Sequence, residues 1–158
     1  MQFGHLLLFG VVSTINFVIL YHFFPNKSVI DSSVAVLFAP LFEEFMFRGY
    51  LFETVKGNAK VKICITAALF ALWHIKNFFL NHSPAVDTGL EMVQVMLIIG
   101  PFFGWLRYRY GSLFPSMVAH SIYNTAATFL FPFALPLMLA IWLGLAWQAK
   151  LTHFRYKG

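Results

Sequence analysis

Charge is what this chain has least of. Of its 158 residues only 6 are Asp or Glu and 11 are Lys or Arg, so 11% are charged, against about 25% in soluble domains. In its place stand 59% hydrophobic and 19% aromatic residues. That balance excludes an ordinary soluble domain and points to a membrane protein. Nucleic acid is excluded as a partner on separate grounds. The basic residues behind the net charge of +5 sit in short gaps between apolar runs, with no stripe of interleaved aromatics. The single cysteine, Cys64, rules out an internal disulfide and any cysteine-based metal cluster. Its place in an apolar run reads as a small core residue rather than a nucleophile. Also missing are His-Glu-x-x-His, Gly-x-Ser-x-Gly and a phosphate-cradling glycine loop, which removes the commonest zinc-peptidase, serine-hydrolase and nucleotide-binding templates.

What remains is an all-α chain, a polytopic bundle of about six transmembrane helices. Six apolar runs, about Phe3–Phe24, Ser32–Phe52, Val61–Leu80, Leu90–Arg107, Leu113–Phe131 and Phe133–Gln148, each approach the roughly 20 residues a bilayer requires. The N-terminal run has no Lys or Arg before it and no small-residue cleavage pattern after it, so it is expected to be a first membrane helix and not a removed signal. The last run is the weakest span, because Phe131-Pro132-Phe133-Ala134-Leu135-Pro136 leaves almost no polar turn before it. No repeat or linker divides the chain, so residues 1–158 are expected to form one integral-membrane domain with its chemical core at about 39–128. Lys56, Lys60 and Lys62, then Arg107 and Arg109, then Lys150, Arg155 and Lys157 occupy the gaps on one side of such a bundle. The positive-inside rule places that side, and both termini, in the cytoplasm of a plasma-membrane protein.

Within this apolar background a few charges stand out. Ala39-Pro40-Leu41-Phe42-Glu43-Glu44-Phe45-Met46-Phe47-Arg48-Gly49 puts two carboxylates and a guanidinium inside the second run. Each such charge costs roughly 2.5–3.5 kcal/mol at a helix centre, so an intramembrane charge is a functional-site hypothesis by default. Glu44 and Arg48 are four apart and share a helix face, whereas Glu43 points about 100° away with no local cation. Glu43 is thereby the carboxylate left for chemistry. His74 in the third run, and His120 with Asn124 one turn apart in the fifth, add two imidazoles and an amide at membrane depth. A carboxylate, two histidines and an asparagine from three helices are the inventory of a hydrolase that activates water and stabilises an oxyanion. In a poorly hydrated cleft Glu43 is the general base with an imidazole helping to hold the water, and His120 and Asn124 donate to the oxyanion.

These residues fall in a recognisable order. Glu43-Glu44-x-x-x-Arg48-Gly49, Phe70-x-x-x-His74 and His120-x-x-x-Asn124 on successive helices resemble the motifs of the CAAX-protease and bacteriocin-processing family of intramembrane endopeptidases, also called the Abi family. The lead-in Gly104-Trp105-Leu106-Arg107-Tyr108-Arg109-Tyr110-Gly111-Ser112-Leu113 resembles that family too, and the similarity covers about half the chain. The resemblance implies an all-helical membrane peptidase that acts on membrane-associated proteins or peptides in the bilayer. It implies Glu43 as general base, His74 positioning the water, His120 and Asn124 as the oxyanion hole, and Glu44, Arg48 and Phe70 in support. It also implies a glutamate-dependent reaction, with no cofactor expected and zinc as the alternative. Family members often carry extra helices before the first motif, where this chain has one run.

Two other readings use the same residues. Glu43, His74 and His120 with a water make a common catalytic zinc set. A non-catalytic membrane adaptor or immunity-type protein would keep them as a buried polar network. Oligomeric state is open at this level, because Gly100 and Gly104 have the small-xxx-small spacing that serves packing within a chain or between copies.

Overall fold

A computed structural model of the chain describes residues 34–80 and 85–129 continuously, and single helical positions between 4 and 22 and between 139 and 144. The described residues are helical apart from short turns at 55–58, 74–75 and 111–113, and none of them is in a strand. Four helices carry the site: α1 over 34–54; α2, Ala59–Trp73, with a short continuation Lys76–Leu80; α3 over 85–110; and α4, Phe114–Phe129. They match the second to fifth apolar runs. The first and last runs lie mostly outside the described residues. The chain forms two compact units, Met1–Thr125, which holds every motif residue, and Ala126–Gly158.

The helix ends follow from local chemistry. Gly57, at φ 127°, turns the chain out of α1, and the Asn58 side chain accepts the Val61 N–H at 3.1 Å to cap α2. At the far end of α3, Gly111 takes φ 62° and donates its N–H to the Arg107 carbonyl at 3.0 Å. Ser112 then accepts the Phe114 N–H at 3.2 Å as α4 begins.

Three π-helical turns interrupt the ladder, at Val34–Phe38, Phe45–Leu51 and Val95–Ile99. The first precedes Pro40, whose missing N–H would have served the Val36 carbonyl four residues back. Ser121 of α4 donates its hydroxyl to that carbonyl at 2.8 Å. A side chain thus satisfies the group that proline leaves open, as backbone buried in a membrane protein demands.

Gly100 and Gly104 pack within the chain. A Cβ on Gly100 would lie 2.8 Å from the Ala67 Cβ and 2.6 Å from the Val95 carbonyl oxygen, and one on Gly104 would lie 3.2 Å from Ile63. Both glycines therefore let α3 press on α2. Gly100→Ala is expected to lower stability by about 1–3 kcal/mol through overpacking, read as a lower unfolding midpoint in detergent. An unchanged midpoint would mean that the two helices separate at no cost.

The burial pattern is inverted relative to a soluble domain. Glu43, Glu44, Arg48, Thr66, Ser116, His120 and Ser121 are buried, while Phe38, Phe42, Phe45, Leu72, Leu97 and Ile122 face outward. Cys64, expected in the core, is exposed on α2. Among the described residues only Gly89–Tyr110, 22 residues, is both long and apolar enough to cross a bilayer alone. Of the other three, α1 holds Glu43, Glu44 and Arg48 at its middle, α2 has 15 residues before its break, and 16 residues of α4 are described.

Candidate active site

The site begins with Phe70, buried on the inner face of α2. Its ring meets Phe47 at 5.0 Å, His74 at 4.8 Å and His120 at 5.6 Å between centroids, and the Arg48 guanidinium lies 4.2 Å over its face. One aromatic side chain thereby touches groups from all three motifs.

Around it runs a chain of charged groups. Arg48 donates from Nη1 to Glu44 Oε1 at 3.0 Å and from Nη2 to the Gly100 carbonyl at 3.1 Å. The pair formed by Glu44 and Arg48 agrees with the four-residue spacing and is fully buried at both ends. The same Glu44 oxygen also pairs with His120 Nδ1 at 2.9 Å, a contact across 76 residues that no spacing within one helix reveals. The other ring nitrogen, Nε2, lies 3.7 Å from Glu43 Oε2. His120 therefore stands between the two adjacent carboxylates, its ring stacked on Phe103 at 4.8 Å. Asn124 follows one helical turn later on α4, half-buried.

Glu43 is not left without a cation. Its Oε1 accepts the Trp73 indole N–H at 2.9 Å and lies 3.7 Å from Lys76 Nζ. Both partners come from a feature the sequence pattern hides. The run expected as one helix over Val61–Leu80 breaks at His74 and Ile75, where successive bonds reach back three residues: His74 N–H to Ala71 O at 3.0 Å, Ile75 N–H to Leu72 O at 3.1 Å and Phe78 N–H to Ile75 O at 3.2 Å. Three residues per turn places positions three apart above one another. Lys76 accordingly sits with its ammonium 4.7 Å over the Trp73 ring, and both reach the same carboxylate.

His74 occupies that break. Its Nδ1 lies 2.8 Å from the Phe70 carbonyl, which as an acceptor assigns the proton to Nδ1 and leaves Nε2 with the lone pair. Nε2 faces Glu91 of α3 at 3.9 Å. The structure thus gathers Glu43, Glu44, Arg48, Phe70 and His120 into one network with His74 at its edge, and adds Trp73, Lys76, Glu91 and Phe103. Arg107, expected as a loop charge, donates from Nε to the Arg48 carbonyl at 3.1 Å and pairs with Glu53, tying the end of α3 to α1. Among the described residues no three His, Cys, Asp or Glu side chains are gathered so as to hold a metal ion.

A protein-family model described as type II CAAX prenyl endopeptidase Rce1-like matches residues 25–126, a stretch that contains all three motifs. No curated protein and no solved structure matches the chain.

Proposed function

Because the chain belongs to the Rce1-like family of type II CAAX prenyl endopeptidases, we propose that it hydrolyses peptide bonds of membrane-associated protein or peptide substrates with water activated by Glu43. The family makes it a membrane-embedded protease in general terms. The residue roles are our own reading, and the observation that carries them is the separation between Glu43 Oε2 and His120 Nε2, 3.7 Å with both side chains buried. That gap is too long for a direct hydrogen bond. It is short enough for one water oxygen, or the oxygen of a scissile carbonyl, to lie within reach of both groups.

In this reading Glu43 takes the proton from water as the water attacks the carbonyl carbon, and His74 Nε2 accepts the second hydrogen and fixes the attack direction. With both ring nitrogens carrying protons, His120 donates from Nδ1 to Glu44 and from Nε2 to the developing oxyanion. The Asn124 amide is the second donor. Glu44, held by Arg48, keeps the His120 ring in place, and Phe70 walls the cleft with a nonpolar face. The proton on Glu43 then passes to the leaving amine. We further propose a plasma-membrane protein of six spans with both termini in the cytoplasm, and catalysis without a metal.

The test compares the termini of membrane proteins, by mass spectrometry, between cells that carry the wild type and cells that carry Glu43→Gln at equal protein level. New termini are expected only with the wild type, and they identify the substrate at the same time. Identical termini in both would favour an adaptor that keeps the network for its structure. Metal analysis of the purified active protein is expected to find no stoichiometric zinc. Zinc that disappears in His120→Ala would instead support Glu43, His74 and His120 as its ligands.

A further inference from the structure

The two oxygens of Glu43 meet different surroundings. Oε1 takes the Trp73 N–H at 2.9 Å and has the Lys76 ammonium 3.7 Å away, while Oε2 faces His120 Nε2 at 3.7 Å. We propose that Trp73 is a positioning residue for the reaction: its indole N–H holds one oxygen of Glu43 and so fixes the plane of the carboxylate with the other oxygen directed at the water. This assignment rests on the peptidase reading above.

The terminal torsion of a glutamate is broad and its two oxygens are equivalent, so the backbone of α1 does not fix the angle at which the carboxylate plane meets the cleft. Glu43 is also 7% exposed, which leaves little room for bulk water to hold it. An external donor is required, and the indole suits the task because it donates and cannot accept. The indole is itself fixed. Its ring lies 6.3 Å from Phe42 and 6.5 Å from Phe47, centroid to centroid, with the Lys76 ammonium 4.7 Å over its face. Lys76 adds positive charge beside the same oxygen, but on a flexible stem that is about one-third exposed. Orientation therefore falls to Trp73. Trp73 belongs to none of the three motifs, and the three-residue turns after it are what let it and Lys76 act on one carboxylate.

The experiment uses the full chain in detergent with an internally quenched, S-farnesylated peptide that ends in Cys-aliphatic-aliphatic-X. Trp73→Phe keeps an aromatic ring against Phe42 and Phe47 and removes the N–H with the five-membered ring that carries it. It is expected to lower kcat by about 10- to 100-fold, the scale of a misplaced reacting group, with KM changed less than two-fold and the unfolding midpoint unchanged. In a Glu43→Gln background the same change is expected to have no further effect, because no base remains to be turned. An unchanged kcat, a rise in KM alone, or the same fractional loss in the Glu43→Gln background would overturn the assignment.

A spectroscopic reading separates this outcome from a failure of the peptidase reading. The difference between ultraviolet resonance Raman spectra of wild type and Trp73→Phe isolates this indole, and is expected to show a hydrogen-bonded N–H that Glu43→Leu abolishes. If Glu43→Leu does not accumulate, Glu43→Gln is expected to shift the band part of the way, since a neutral oxygen is a weaker acceptor. A band indifferent to residue 43 overturns the role of Trp73 whatever the activity. A wild type that leaves the peptide intact while the band behaves as expected overturns cleavage of this peptide class and not the contact.

Discussion

Glu43→Gln is expected to lower cleavage by about 10²–10⁴-fold, the usual contribution of a positioned general base, while the protein accumulates and unfolds as the wild type does. Glutamine has the shape of glutamate, and its amide oxygen still accepts the Trp73 N–H, so the packing around residue 43 is kept and only the proton acceptor is lost. The neighbouring charges allow the exchange. Lys76 is partly exposed and is not left as a buried unpaired cation, and His120 retains Glu44. Product formation and the unfolding midpoint, measured on the same preparation, check both halves of the expectation. Full activity in Glu43→Gln would end the assigned chemistry, and loss of the folded protein would favour a structural network.

Arg48→Met is expected to do the reverse and destabilise the fold by about 3–5 kcal/mol, as when one partner of a buried ion pair is removed. Arg48 and Glu44 are both 0% exposed, and among the described residues Glu44 Oε2 has no hydrogen-bond partner to compensate for a lost guanidinium on Oε1. The change also leaves the Gly100 carbonyl without its 3.1 Å donor and removes the cation 4.2 Å above Phe70. Lower accumulation and a lower unfolding midpoint are the readouts, and activity per folded molecule should fall as well, because the Glu44 oxygen that Arg48 holds is the one that pairs with His120. Arg48→Lys is expected to recover little, because an ammonium cannot span Glu44 and the Gly100 carbonyl as the planar guanidinium does. Normal stability in Arg48→Met would show that the pair adds nothing to the fold. The two variants thus differ in what they are expected to disturb first, Glu43→Gln the proposed reaction and Arg48→Met the fold around Glu44.

How much of this was legible in the sequence depends on the range of each interaction. The helices from 34 to 129 follow from apolar runs, and the Glu44–Arg48 pair follows from a four-residue spacing, because both are local consequences of helix geometry. The family likewise follows from short motifs in order. The Glu44–His120 contact joins residues 76 apart, and nothing in either segment's period encodes it. The partners of Glu43 were hidden for the same reason: Trp73 and Lys76 lie on α2, about 30 residues on, and nothing in the period of α1 or α2 encodes which carboxylate they meet. Signals were present, since an indole next to the motif histidine and a lysine in an apolar run are both unusual neighbours for a buried acid. Cys64 was misjudged because an apolar run in a membrane protein can face outward as readily as inward.

The bond between His120 and Glu44 also bears on biosynthesis. A ribosome that has released α1 and α2 into the membrane has delivered Glu43 and His74, but not His120, which arrives 76 residues after Glu44. Until α4 is made and docked, Glu44 has only Arg48 to hold and no ring stands beside Glu43 to receive an oxyanion. In the proposed reaction the half-made chain would therefore hold its base without its oxyanion donor. A peptidase that works in this way would stay silent among other nascent membrane proteins until its own synthesis is complete.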